Sequence, residues 1–183
     1  MNRQTGISRL EMAIGTTVFA VLLASFLPRF LNVQHEARGA RLLQAYGEIS
    51  SAIRTTHATV LARQSGPDSS PCGNGETAEN RLSGASAVCI NGTYLPILHG
   101  YPSTRMDDGI PGLLALLSFA QGRNNQPTIA AFQQAGLTYE STHGLARIGL
   151  REARDPKHCF FEYTESLTPG SAATLGEPVT TGC

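Results

Sequence analysis

The chain has 183 residues, with 14 basic and 14 acidic side chains, a formal net charge of zero, 41% hydrophobic residues and 15% charged ones. That length holds one domain, or one small domain with an appendage. A neutral balance with a single lysine, Lys157, argues against nucleic-acid or other polyanion binding, since no basic excess exists to release counterions, and recurring apolar residues at low charge argue against disorder.

The first element is an apolar run. Between Glu11 and Arg29 no side chain is charged, and the segment reads MAIGTTVFAVLLASFLP. With its flanks, Ile7 to Leu31, a helix there rises about 36 Å, enough for the ~30 Å of a bilayer core. As a signal peptide it fails, because Glu11 precedes the run and no small-x-small site follows it. A soluble core helix rarely lacks a polar face over such a length, so a membrane-spanning segment fits best. Glu11 at its edge is costly in hydrocarbon and marks function. Pro28 at its end is placed to break or kink the helix.

Beyond Pro28 the helical pattern resumes. Leu42, Tyr46, Ile49, Ile53, Thr56 and Val60 recur at helical spacing, while Arg41, Gln44, Glu48, Ser51, Arg54 and Thr55 fall away from that face. The pattern predicts one helix from Ile7 to Gln64, about 87 Å long at 1.5 Å per residue, with half of it projecting from a globule of this size.

After Gln64, SGPDSSPCGNGETAEN reads as a loop. Ala87–Ile90 and Thr93–Leu98 are strand candidates around Asn91-Gly92, a strong hairpin signal. Leu113–Phe119 and Ile129–Ala135 are short helix candidates, the second closed by Gly136. Phe160–Tyr163 is β-prone despite poor alternation, and Val179–Thr181 is a last short strand candidate. The sum is an α+β chain: a long N-terminal helix followed by a small antiparallel sheet.

The N-terminal residues resemble the type IV pilin family. Its members begin with a short leader ending in glycine, then a hydrophobic residue, a glutamate four positions later, an apolar run and a proline; Gly6, Ile7, Glu11 and Pro28 match these positions. PRFLNVQHEARGARLLQAYGEISSAIRTTHATVLA is similar to the helix of mannose-sensitive haemagglutinin-like pilins, and the likeness extends to Asn91–Pro102, to DPKHCFFEYTES and to the terminal Gly182-Cys183. The resemblance implies a leader of residues 1–6, a transmembrane and filament-core segment of residues 7–31, and an extracellular globular domain of residues 32–183. It also implies cleavage between Gly6 and Ile7 by a prepilin peptidase that methylates the new amine, and partners in other pilin subunits and the inner-membrane assembly machinery. The subunit would start as a single-pass inner-membrane protein and end in a surface pilus. Arg9 stands where the family generally has an apolar or small polar residue, which weighs towards a minor subunit.

The physics beside the name is specific. Cleavage would free an amine four residues before Glu11, and a neighbouring subunit's amine can relieve a carboxylate stranded in an apolar bundle. Such pairing would fix axial register, and open heterologous contacts build helical filaments. Gly15 and Pro28 are the weak points of the helix, where the family implies partial melting during assembly.

Four cysteines suggest disulfides in an oxidising compartment. Three pairings are possible; proximity and the resemblance together favour Cys72–Cys89 and Cys159–Cys183, the second pinning the C-terminal loop. No C-x-x-C spacing argues for zinc, and no cofactor is indicated. The five histidines, His35, His57, His99, His143 and His158, form no ligand pair, and His57 reads as a packing residue. No hydrolase, P-loop or zincin motif is present; His158 beside Cys159 would point to the opposite face of a strand. Asp107-Asp108-Gly109 reads as a turn. The reading is therefore a structural pilus subunit, not an enzyme. The alternatives are a type II secretion pseudopilin, in which calcium often replaces the C-terminal disulfide, and a membrane-tethered periplasmic enzyme or sensor.

Overall fold

The computed structural model describes residues 9–63, 66–107, 110–115, 117 and 128–183. The chain divides into two units, Met1–Ala37 and Arg38–Cys183.

Helix α1 runs Arg9–Arg63, in agreement with the spacing argument, and its backbone is continuous past Pro28. A proline removes one backbone donor from a ladder that is bonded on both sides of it, so a long helix survives the loss. The first unit holds the apolar run. Among the described residues no helix is long and apolar enough to cross a membrane. The reason lies in the run itself: Glu11 and Arg29 confine the uncharged stretch to 17 residues, about 26 Å of helix against ~30 Å of hydrocarbon, and Gly15, Thr16, Thr17 and Ser25 dilute it.

In the second unit the predicted face of α1 is the buried one. Leu42, Ile49, Ile53, Thr56 and Val60 are buried and Tyr46 is half-buried, while Arg41, Gln44, Ser51, Arg54 and Thr55 stay exposed. Strands β1 (Ala85–Ile90), β2 (Thr93–Leu98) and β3 (Tyr101–Pro102) form an antiparallel sheet, with Ile90 opposite Thr93. The turn between β1 and β2 holds Asn91 at φ 50° and Gly92 at φ 80°, the left-handed pair a two-residue hairpin demands. A two-stranded ladder joins β4 (Met106–Asp107) to β5 (Ile110–Pro111). A 3-10 turn, Gly112–Leu114, stands where a helix over Leu113–Phe119 was predicted; residues 116 and 118–119 lie outside the described residues. Helix α2 (Ile129–Gln134) is capped by the Thr128 hydroxyl, which accepts from Ala131 N, and is closed by Gly136 at φ 81°.

The larger sheet has four antiparallel strands in chain order: β6 (Leu137–Thr142), β7 (Leu145–Leu150), β8 (Phe160–Thr164) and β9 (Thr174–Leu175). The β6–β7 hairpin was not foreseen. Its turn, His143-Gly144, has both residues at positive φ, 49° and 83°, and histidine is among the non-glycine residues that tolerate this region. β8 alternates strictly: Phe161 and Tyr163 are buried, and Phe160, Glu162 and Thr164 are half-exposed, which corrects the expectation of poor alternation. Val179–Thr181 is not a strand; Val179 makes a single bridge to Phe160.

Two cores divide α1 between the sheets. Leu42, Ala45, Ile49 and Ile53 pack with Phe132 of α2, Ile148 of β7 and Phe161 and Tyr163 of β8, while Val60 packs with Val88, Ile90, Leu95 and Ile97 of β1 and β2. One helix thus ties together two sheets whose own apolar faces would otherwise meet water.

Candidate functional site

Gly6 and Ile7, the expected processing residues, lie outside the described residues, as do the side chains of Glu11 and Pro28. From Met12 to Phe26, α1 is apolar and unburied on every side. All side chains from Met12 to Phe26 are exposed, with Phe19 at 63% and Phe26 at 63%. The polar residues in this stretch turn inward on the helix. Thr16 Oγ1 donates to Ala13 O at 3.0 Å, Thr17 Oγ1 to Ile14 O at 2.9 Å, and Ser25 Oγ to Val21 O at 2.8 Å. Their hydroxyl donors are therefore satisfied without water, and the segment can enter an apolar environment without stranding them. A Cβ built at Gly15 would meet nothing within 4 Å, so no contact among the described residues explains a glycine that weakens the helix by about 1 kcal/mol.

Cys72 is bonded to Cys89 and Cys159 to Cys183, the pairing favoured from the sequence. The second bridge is buried and sits in a network that fixes the C-terminal segment to β8. Asp155 N donates to Gly182 O at 2.9 Å and Gly182 N to His158 O at 2.8 Å, while Phe160 and Val179 exchange bonds of 3.1 and 2.9 Å. Cys159 is thus no nucleophile, and His158 lies in a 3-10 turn, Pro156–His158, not on a strand. His158 Nδ1 instead contacts Asp155 Oδ2 at 2.6 Å. That bond, and a second from Lys157 N, hold the Asp155 carboxyl below its ordinary pKa. His57 stacks on Tyr101 with ring centroids 4.1 Å apart, and its Nδ1 lies 3.1 Å from Gly100 O, as a packing histidine should. Among the described residues no group of three or more His, Cys, Asp or Glu side chains is placed to hold a metal; Asp108 and Gly109 lie outside the described residues.

Sequence reading missed the polar junction between the sheets. Glu165, just past β8, is only 3% exposed. Its Oε2 accepts from Thr104 N at 2.8 Å, Thr104 Oγ1 at 3.0 Å and Ser103 Oγ at 3.4 Å. Tyr163 Oη donates to Pro102 O at 2.8 Å and Tyr139 Oη to Thr104 O at 2.9 Å. Burial, above all, raises both phenols well over their ordinary pKa, and the Glu165 carboxylate adds to the shift; both remain neutral donors. Beside this junction lies a cleft of about 400 Å³ lined by Thr104, Arg105, Ser141, Thr142, His143, Gly144, Glu165 and Leu167. A smaller one, about 210 Å³, lies between Arg41, Gln44 and Ala45 of α1 and Ala135 and Leu137. The sequence signal for the junction is weak: a charged residue next to a β-prone run, with partners some sixty positions away.

No family model, curated protein or solved structure matches the chain.

Proposed function

We propose that the chain is a structural subunit of a type IV pilus with a pilin fold, cut between Gly6 and Ile7 and contributing to adhesion or motility as part of a filament. One observation carries the reading: a stretch of α1 exposes apolar side chains all round, in a chain whose second unit already has closed cores. Monomeric proteins rarely expose contiguous apolar patches beyond a few hundred Å², so this helix requires a cover. A bundle of the same helices from other copies provides one, and repeated heterologous contacts of that kind extend into a filament. The self-bonded threonines and serine suit such a bundle, as does Gly15, whose missing side chain leaves room for a neighbouring helix. The uncharged run is short for a bilayer, so the reading rests on burial among copies. Before assembly the same side chains call for lipid, and the subunit is held at the inner membrane until the assembly machinery transfers it.

The Cys159–Cys183 bridge favours a pilus over a secretion pseudopilus, in which calcium commonly does the work of pinning the C-terminal loop. N-terminal sequencing of protein from sheared surface filaments tests the proposal. A start at a methylated Ile7 is the expected result; a chain retaining Met1, or absent from filaments, overturns it.

A further inference from the structure

Glu165 is a buried carboxylate with no cationic partner among the described residues. The ion pairs among the described residues are Arg63–Asp68, Arg81–Glu79, Arg147–Glu162 and His158–Asp155, and none includes it. Its two oxygens differ. Oε2 is occupied by the donors of Ser103 and Thr104, whereas Oε1 accepts no hydrogen bond among the described residues. Glu165 and Gly144 both line the cleft of about 400 Å³ beside the β6–β7 turn, and Oε1 is the Glu165 oxygen next to Gly144. Gly144 keeps that space clear, because a Cβ there would come within 3.0 Å of Oε1.

We infer that this cleft binds a primary ammonium group, either a free small amine or the end of a lysine side chain, which donates to Glu165 Oε1. A carboxylate oxygen only accepts, so its partner must be a donor. A buried carboxylate gains most from a donor that also carries positive charge, whereas a neutral polyol leaves the charge uncompensated. A divalent metal needs several oxygen ligands, and no acidic cluster stands here among the described residues. An anion is repelled. Arg105, exposed on the rim, makes no ion pair with Glu165. Its planar fork suits a carboxylate with two free oxygens, and one is taken; a compact ammonium needs only one. The hydroxyls of Ser141 and Thr142 on the cleft wall are acceptors for the remaining ammonium protons, and the volume lies at the small end of ligand pockets.

The test is titration of the full chain with methylammonium, with Nα-acetyl-lysinamide and with sodium as the control cation, followed by the amide resonances of Thr104 and Gly144. Both amines should shift these resonances saturably and sodium should not; tighter binding of acetyl-lysinamide identifies a lysine side chain as the natural ligand, and tighter methylammonium a free amine. Glu165→Gln should weaken binding roughly tenfold or more, the usual scale of a lost charge-assisted bond. Should that variant unfold, Arg105→Glu on the exposed rim answers alone: it should strengthen amine binding severalfold. No saturable shift, equal binding to Glu165→Gln, or weaker binding to Arg105→Glu overturns the inference.

Discussion

Thr104 donates both its backbone amide and its hydroxyl to the same oxygen of Glu165, at 2.8 and 3.0 Å. The pair lies 61 positions apart in the chain and joins the segment after β3 to the end of β8, so it holds the two sheets in one arrangement. Thr104→Val keeps the shape and the amide bond but removes the hydroxyl donor. A hydrogen bond to a buried charge is worth about 1.5–3 kcal/mol, so urea denaturation should show a loss of that order. An unchanged midpoint would mean that the hydroxyl contributes nothing.

Gly144 and Gly170 have nearly the same backbone, at φ 83° and 82°, but different surroundings. An added Cβ at 144 would come within 2.8 Å of Leu167 Cδ2 and 3.0 Å of Glu165 Oε1, whereas at 170 it would meet nothing within 4 Å. Both alanine variants incur the left-handed strain, about 1 kcal/mol or more. Only Gly144→Ala also has to displace neighbours, so its thermal midpoint should fall further than that of Gly170→Ala. Equal losses would contradict the crowding.

Thr56 is fully buried on α1 and its Oγ1 has no hydrogen-bond partner among the described residues. Valine has the same branched shape and nearly the same helix propensity, and it removes a polar group that was stripped of water without compensation. Thr56→Val should therefore raise stability, by up to about 1–3 kcal/mol, read as a higher denaturation midpoint. A clear loss would point to a buried water or other partner on that hydroxyl.

What the sequence reveals and what it hides divide along the range of the interactions. The buried face of α1 was legible because helical spacing places Leu42, Ile49, Ile53 and Val60 on one side whatever they pack against. The β1–β2 hairpin was legible because Asn91-Gly92 dictates its own turn. The β6–β7 hairpin escaped notice because His143-Gly144 is a less familiar pair and only Leu137 is buried at the start of β6. A 3-10 turn, Gly112–Leu114, stands at the start of the segment where a helix over Leu113–Phe119 was expected. Glu165 was invisible for the opposite reason: its burial is set by Ser103 and Thr104, which no local pattern connects to it.

The Asp155–His158 contact makes a prediction about acid. The Asp155 carboxyl is held below its ordinary pKa first by the His158 bond and then by Lys157 N. A carboxyl with a depressed folded-state pKa contributes stability that is complete above its unfolded value, near 4, and lost as pH falls through the depressed value. Carbon-detected NMR titration of Asp155 should give a midpoint below the ordinary carboxylate range, moving upward in His158→Ala. A midpoint unmoved by that substitution would show that the imidazole is not the cause.

Glu11 gives the sharpest test of the assembly reading. A helix used only as a tether should tolerate Glu11→Ala, or hold its place better, since a carboxylate next to an apolar run is costly in hydrocarbon. A helix that must find its register among copies should not. There, the new amine on Ile7 of one subunit relieves the carboxylate of another, and any slip leaves both without a partner at a penalty of several kcal/mol. The expected outcome is a stable, normally cleaved chain in the cell envelope that is missing from sheared filaments, measured by immunoblot of the two fractions. Wild-type levels of Glu11→Ala in filaments would remove the charge pairing as the basis of assembly.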